Sequence, residues 1–200
     1  MSDAPGDAFA RVIAGGGVAV FPADTVYGLA CDPGSAAAVE RLYALKGRAP
    51  DKPAAVMFFA PDAALAALPE LDARTRAAAE GLLPGGVTLL LPNPRGRWPL
   101  ACGPDPGTLG LRVPDVPPLR AVAVPVLQSS ANRSGGADAR RLADVPAALR
   151  AGADLVLDGG ELPGTPSTVV DLRGYAADGT WAVLREGAVA VEAIATVLRP

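Results

Sequence analysis

Glycine and proline punctuate this chain so densely, 23 and 21 in 200 residues, that no helix or strand can run far before meeting a breaker. Between the breakers, short continuous apolar runs alternate with alanine-rich stretches of helical periodicity. Strands are expected at Val18–Phe21, Ala54–Phe59, Val87–Leu91, Leu109–Val113, Val124–Gln128, Leu155–Leu157, Thr168–Leu172 and Trp181–Leu184. Helices are expected near residues 6–14, with Phe9, Val12 and Ile13 on one face, and after an N-cap at Ser35, closed by Gly47. Others are expected as two short helices between Pro61 and Glu80, and at Pro117–Val122, Asp144–Arg150 and Val191–Leu198. Pro92–Thr108, rich in proline and glycine, reads as a long surface loop. Short apolar strands alternating with helices predict an α/β domain over residues 1–200, with neither repeat nor internal break.

Composition removes several function classes. Half the chain is hydrophobic and a fifth charged, enough to bury a core. A net charge of -3 argues against a surface that coats nucleic acid, while leaving room for a local basic groove. There is no histidine, so serine triads, histidine general bases and HExxH zinc sites are out. Cys31 and Cys102 are too few and too far apart for a zinc pattern. No apolar run reaches the roughly 20 residues of a membrane span, and the N-terminus lacks a signal peptide's basic start. The expectation is a cytoplasmic protein.

Four segments are poorly explained by packing alone. FPADTVYGLACDP (21–33) places Asp24, Thr25 and Tyr27 just after a strand, where α/β sheets bind ligands; the same residues also make an ordinary side-chain-stabilised turn. LKGRAPDKP (45–53) holds both lysines of the chain, Lys46 and Lys52, around Arg48. Three cations on a proline-stiffened loop suit a polyphosphate, although Lys46 would also complement a helix C-terminus. LQSSANRSGG (127–136) lets hydroxyls and backbone approach an anion closely. GTPSTVVD (164–171) opens a strand with Ser167 and Thr168. P-loop, GxGxxG and GxSxG signatures are all absent.

These segments, in this order, resemble the YrdC/Sua5 family of threonylcarbamoyl-adenylate synthases. The matching stretches are FPADTVYGLACDP, the K-x-R of LKGRAPDKP, LLPGGVTLLLP, the R-x-P of LGLRVPDVP, SSANRSG, PSTVVD and VLREG, from residue 20 to residue 187. The resemblance implies a single twisted mixed sheet covered by helices, with a concave basic groove, in the family's short single-domain form. It implies a nucleotidyltransferase joining L-threonine, bicarbonate or CO2, and ATP into L-threonylcarbamoyl-AMP and pyrophosphate. A separate transferase then modifies adenosine 37 of tRNAs that read ANN codons. Carried over by motif, Lys46, Arg48, Lys52, Thr108, Ser130, Asn132 and Arg185 would hold ATP, and Thr25, Arg112 and Ser167 the amino acid. No catalytic side chain and no protein metal ligand are implied; Mg2+ would arrive on the phosphates.

The sequence departs from the family pattern at Ala23, Met57, Gly86, Val116 and Glu186, where the family usually has threonine, histidine, proline, histidine and proline. Those at Ala23, Met57 and Val116 bear on which amino acid is taken. The alternatives are a paralogue of altered substrate, or an RNA-binding protein without ligation activity that uses Lys46, Arg48, Lys52, Arg112, Arg133, Arg140 and Arg141 on phosphates. With nine aromatic residues, the chain offers little for base stacking.

Overall fold

The computed structural model describes residues 4–198; the outermost ends of the expected 1–200 domain lie outside them. In chain order the elements are α1 (Pro5–Ala14), β1 (Ala19–Pro22), β2 (Tyr27–Cys31), α2 (Ala36–Lys46), β3 (Ala55–Met57), α3 (Pro61–Ala66), α4 (Ala73–Leu82), β4 (Val87–Pro92) and α5 (Pro99–Cys102). They continue with β5 (Thr108–Arg112), β6 (Val126–Ser130), α6 (Ala147–Gly152), β7 (Leu155–Val156), β8 (Thr168–Asp171), α7 (Tyr175–Asp178), β9 (Ala182–Arg185) and α8 (Val191–Val197). Local signals set the helix ends. Proline occupies the first turn of α1. α2 starts where the Ser35 side chain accepts the Ala38 amide, and stops where Gly47 turns left-handed at φ 63°.

The nine strands form one mixed sheet in the order β7-β1-β2-β6-β3-β5-β4-β8-β9. β1 with β7, β3 with β5 and β4 with β8 run parallel; the remaining neighbours are antiparallel. Because strand side chains alternate, each strand serves two masters. One face sends Val20, Leu29, Leu127, Val56, Leu111, Leu89 and Val170 into the main core beneath α2, α4 and their neighbours. The other face is divided. At the β1 side, Phe21, Ala30, Met57 and Val126 pack under α1 with Phe9 and Ile13. Toward β4 and β8 it lines an open cavity.

Four expectations need correction. The segment after β1 is a second strand, β2, every residue of which is buried. Its Gly28 is required by packing, because a Cβ there would sit 2.9 Å from the Phe21 ring. Residues 92–108 run over the surface as expected, but not as a structureless loop. Asn93 is 3 % exposed and donates to the Arg97 and Pro106 carbonyls, folding the segment around α5 and burying Ala101 and Cys102. The strand expected at Val124–Gln128 begins and ends two residues later, as β6. The helix expected at Pro117–Val122 is a single 3-10 turn, Pro117–Leu119. No helix among the described residues is long and apolar enough to cross a membrane.

Candidate active site

The open half of the sheet face is the floor of a cavity of about 480 Å³. One cross-strand row of that floor is Gln128, Ala55, Gly110 and Leu90, read directly from the pairing register. The next row places Met57, Arg112, Thr88 and Val169 side by side. Small residues at Ala55 and Gly110 make the depression: a Cβ on Gly110 would already stand 3.3 Å from the Ala55 backbone. Around this floor the cavity is lined by Arg48, Arg112, Arg173 and Arg185, with Asp105 and Asp138 as its carboxylates and Thr108, Ser129, Ser130 and Ser167 as hydroxyls.

Six of the ten sequence-selected residues line the cavity: Arg48, Thr108, Ser130, Arg185, Arg112 and Ser167. Arg48 is half-buried at the mouth, its guanidinium 5.6 Å over the Tyr43 ring and its buried Nε without a partner. The Thr108 hydroxyl donates to Asp105 at 2.6 Å and lies 3.3 Å from Arg173 Nη1. Arg185 donates twice to the Ser167 carbonyl, and the Ser167 hydroxyl shares a 2.8 Å bond with Thr88.

Lys46, Asn132, Thr25 and Lys52 do not line it. Lys46 is 2 % exposed. Its ammonium donates to the Ser130 carbonyl at 2.6 Å, the Asn132 carbonyl at 2.9 Å, the Asn132 Oδ1, and the Ser130 Oγ at 3.3 Å. Asn132 in turn donates to the Gly136 carbonyl at 2.6 Å. Lys46 therefore ties the C-terminal end of α2 to the SSAN turn and sets the position of Ser130 from beneath. Burial, helped by the Arg48 charge, pulls this ammonium down to about 8. Thr25 is buried behind Arg112, accepting from its Nη2 at 2.6 Å. Lys52 is exposed.

Arg112 is the most buried of the cations that line the cavity. It is 3 % exposed and donates from Nη2 to the Ala23 carbonyl at 3.0 Å, to Thr25 and to the Asp24 carboxylate. Burial lowers its pKa from the ordinary arginine value, while Asp24 opposes that shift. Asp24 itself takes φ 59°, the left-handed region that aspartate tolerates.

Asp105, Asp138 and Arg173 were missed by sequence reasoning. Arg173 follows the PSTVVD strand as DLRG and is fixed by Asp171; an arginine just past a strand end was the available signal. Ala23, Met57 and Val116, three of the departures from the family pattern, share the small apolar cluster under α1. Gly86 fits by closeness, since a Cβ there would meet Ala188 at 2.8 Å. Arg140 and Arg141 both pair with Glu161, away from the cavity. Both cysteines are free, and burial pushes the Cys31 thiol up to about 12. No group of three or more acidic, histidine or cysteine side chains among the described residues forms a metal cage. Asp105 and Asp138 would fit Mg2+ only as one or two carboxylates beside phosphate oxygens.

A family model, Sua5/YciO/YrdC, described as "Telomere recombination", matches residues 11–187. A threonylcarbamoyl-AMP synthase from Nitrosococcus oceani is 37 % identical over 171 residues, covering 82 % of this chain and 91 % of the relative. One from Chromohalobacter salexigens is 38 % identical over 164 residues, covering 79 % and 87 %. Among solved structures, P. abyssi Sua5 complexed with L-threonine aligns at TM-score 0.79 and 27 % identity, over 95 % of this chain and 56 % of that one. E. coli YciO aligns at TM-score 0.79 and 25 % identity, over 94 % and 91 %.

Proposed function

The chain belongs to the Sua5/YciO/YrdC family, and we propose that its cavity joins L-threonine, bicarbonate or CO2, and ATP to give L-threonylcarbamoyl-AMP and pyrophosphate. The observation that carries this is the division of the cavity's cations. Arg48, half-buried, and Arg185, exposed and bonded to Ser167, line the cavity nearer solvent, whereas Arg112 is buried at the floor with Asp24 as its counter-charge. Rim cations with Thr108 and Ser130 suit a flexible, highly charged triphosphate. A buried guanidinium suits one carboxylate. Lys46 and Asn132 act on ATP through Ser130, and Thr25 acts on the amino acid through Arg112. Lys52, exposed on the same loop, would reach the phosphates from outside.

The chemistry needs positioning more than covalent catalysis. The threonine amine and CO2 form a carbamate, losing one proton to solvent. A carbamate oxygen then bonds to the α-phosphorus as the bond to the β-phosphate oxygen breaks, and pyrophosphate leaves with that electron pair. Holding the two reactants in line removes an entropic barrier, and cations at the rim stabilise charge moving onto the leaving group. Bound Mg2+ would neutralise phosphate charge. The product is consumed by a separate threonylcarbamoyl transferase acting on tRNA in the cytoplasm.

The test is pyrophosphate release from purified protein supplied with ATP, L-threonine and bicarbonate singly, in pairs and together. Release should require all three and yield a threonylcarbamoyl adenylate. No release from demonstrably folded protein would remove the proposal.

A further inference from the structure

Arg173 lines the cavity with one edge of its guanidinium clamped and one corner open. Asp171 accepts from Nε at 2.9 Å and from Nη2 at 2.6 Å, and also takes the Arg173 backbone amide at 3.0 Å. That parallel pair fixes the plane of the group. The third nitrogen, Nη1, has two contacts among the described residues, both long: the Thr108 hydroxyl at 3.3 Å and Asp105 at 3.8 Å. Asp105 is engaged within its own turn, where Oδ1 accepts the Gly107 amide at 3.1 Å and Oδ2 the Thr108 hydroxyl at 2.6 Å. Thr108 has spent its proton there, so toward the cavity it can only accept. A phosphate oxygen arriving beside Thr108 finds its donor on Arg173, whose side chain is 45 % exposed.

We propose that Arg173 is a further substrate-binding residue, whose Nη1 corner donates to a phosphate group of the nucleotide while Asp171 holds it in orientation. The inference rests on the ATP reading of this cavity. Register supports the placement. Leu90 pairs with Asp171 and Pro92 with Thr108, so the chain beyond Asp171 runs to the Thr108 end of the floor. Arg112 lies on the same strand four residues away, roughly 13 Å at the rise of a β-strand. An amino acid at Arg112 therefore leaves the Thr108 end free for phosphates. A guanidinium whose plane is already fixed has little freedom left to lose on binding. A lysine would offer only a mobile point charge.

The test measures the Kd for inorganic pyrophosphate, ATP and adenosine in the wild type, in Arg173→Lys and in the double variant Arg173→Gln with Asp171→Asn. The double variant loses one charge of each sign, so its net charge is that of the wild type and any loss reports the contact rather than the general field. Its ligand-free melting temperature should stay close to the wild type's, as expected for a solvent-facing ion pair. Pyrophosphate and ATP should each bind about tenfold more weakly, ~1.4 kcal/mol, with adenosine unmoved. Pyrophosphate affinity equal to the wild type's overturns the proposal and leaves Arg173 and Asp171 as a surface ion pair only. Adenosine weakened as much as ATP overturns it too, because the contact then lies on the nucleoside. Full affinity in Arg173→Lys overturns the orienting role of Asp171. A wild type that binds neither ATP nor pyrophosphate overturns the ATP reading of the cavity, and this inference with it.

Discussion

The same face of one sheet is roofed at one end and open at the other. Under α1 it carries Phe21, Met57 and Val126, and Phe9 and Phe59 complete a ring cluster with centroids 5.2–6.1 Å apart. On the adjoining strands β5 and β4 it carries Arg112, Gly110 and Thr88, and the space above holds the cavity. Backbone geometry is shared between the two halves, so the difference lies in side chains alone. Aromatic bulk demands a cover; small and polar residues on the same pleat leave a hollow. Arg112 and Met57, direct neighbours in register, mark the boundary.

If stability belongs to the roofed half and ligand binding to the open half, substitutions should separate the two properties. The largest effect is expected at the roof. Phe9→Ala removes a fully buried ring and should cost about 3–5 kcal/mol in chemical denaturation, while the folded fraction retains its ATP affinity. An equal loss of affinity would join the two halves into one unit. In the open half, Arg48→Ala should weaken ATP binding by ~1.5–3 kcal/mol, the scale of a charged hydrogen bond, and barely move the ligand-free melting temperature. Loss of stability at unaltered affinity would reduce Arg48 to a strut for the 47–53 loop.

Arg112→Lys keeps the charge and loses the planar grip. The KM for threonine should rise roughly tenfold, ~1.4 kcal/mol, with ATP affinity measured alone unchanged. The reverse pattern would move Arg112 into the phosphate site. The smallest effect concerns Lys46, whose folded pKa of about 8 lies below the ordinary lysine value of 10.5. Between those values the unfolded chain binds more protons there, so this group's contribution to stability rises with pH across that window. Melting curves from pH 7 to about 9.5 should therefore show Lys46→Met gaining less with pH than the wild type. Identical slopes would mean that Lys46 is not titrating in its buried nest.

Much of this site was legible because its chemistry rides on strand ends. Arg112 follows an apolar run, Ser130 closes another, and Ser167 opens a third. What stayed hidden was depth. Lys46 and Arg48 stand two residues apart in one motif, yet the helix turn sends one inward beneath the SSAN turn and the other to the cavity mouth. Charge and spacing carry no information about that choice. β2 escaped notice because YGLAC is short, lies beside turn-forming Asp24 and Thr25, and contains a glycine whose reason is a phenyl ring on the neighbouring strand. Asn93 looked like a loop residue; buried and bonded to Arg97 and Pro106, it organises the loop.

The alternation along β4 has a consequence for how such a chain can change over generations. Leu89 and Leu91 face the core while Thr88 and Leu90 face the cavity, so neighbouring codons answer to different demands. A replacement at Thr88 or Leu90 alters the room left for a ligand and leaves the packing beneath intact. One at Leu89 or Leu91 opens a void beneath the sheet. New substrates can be explored on one side of a strand whose other side keeps the protein folded.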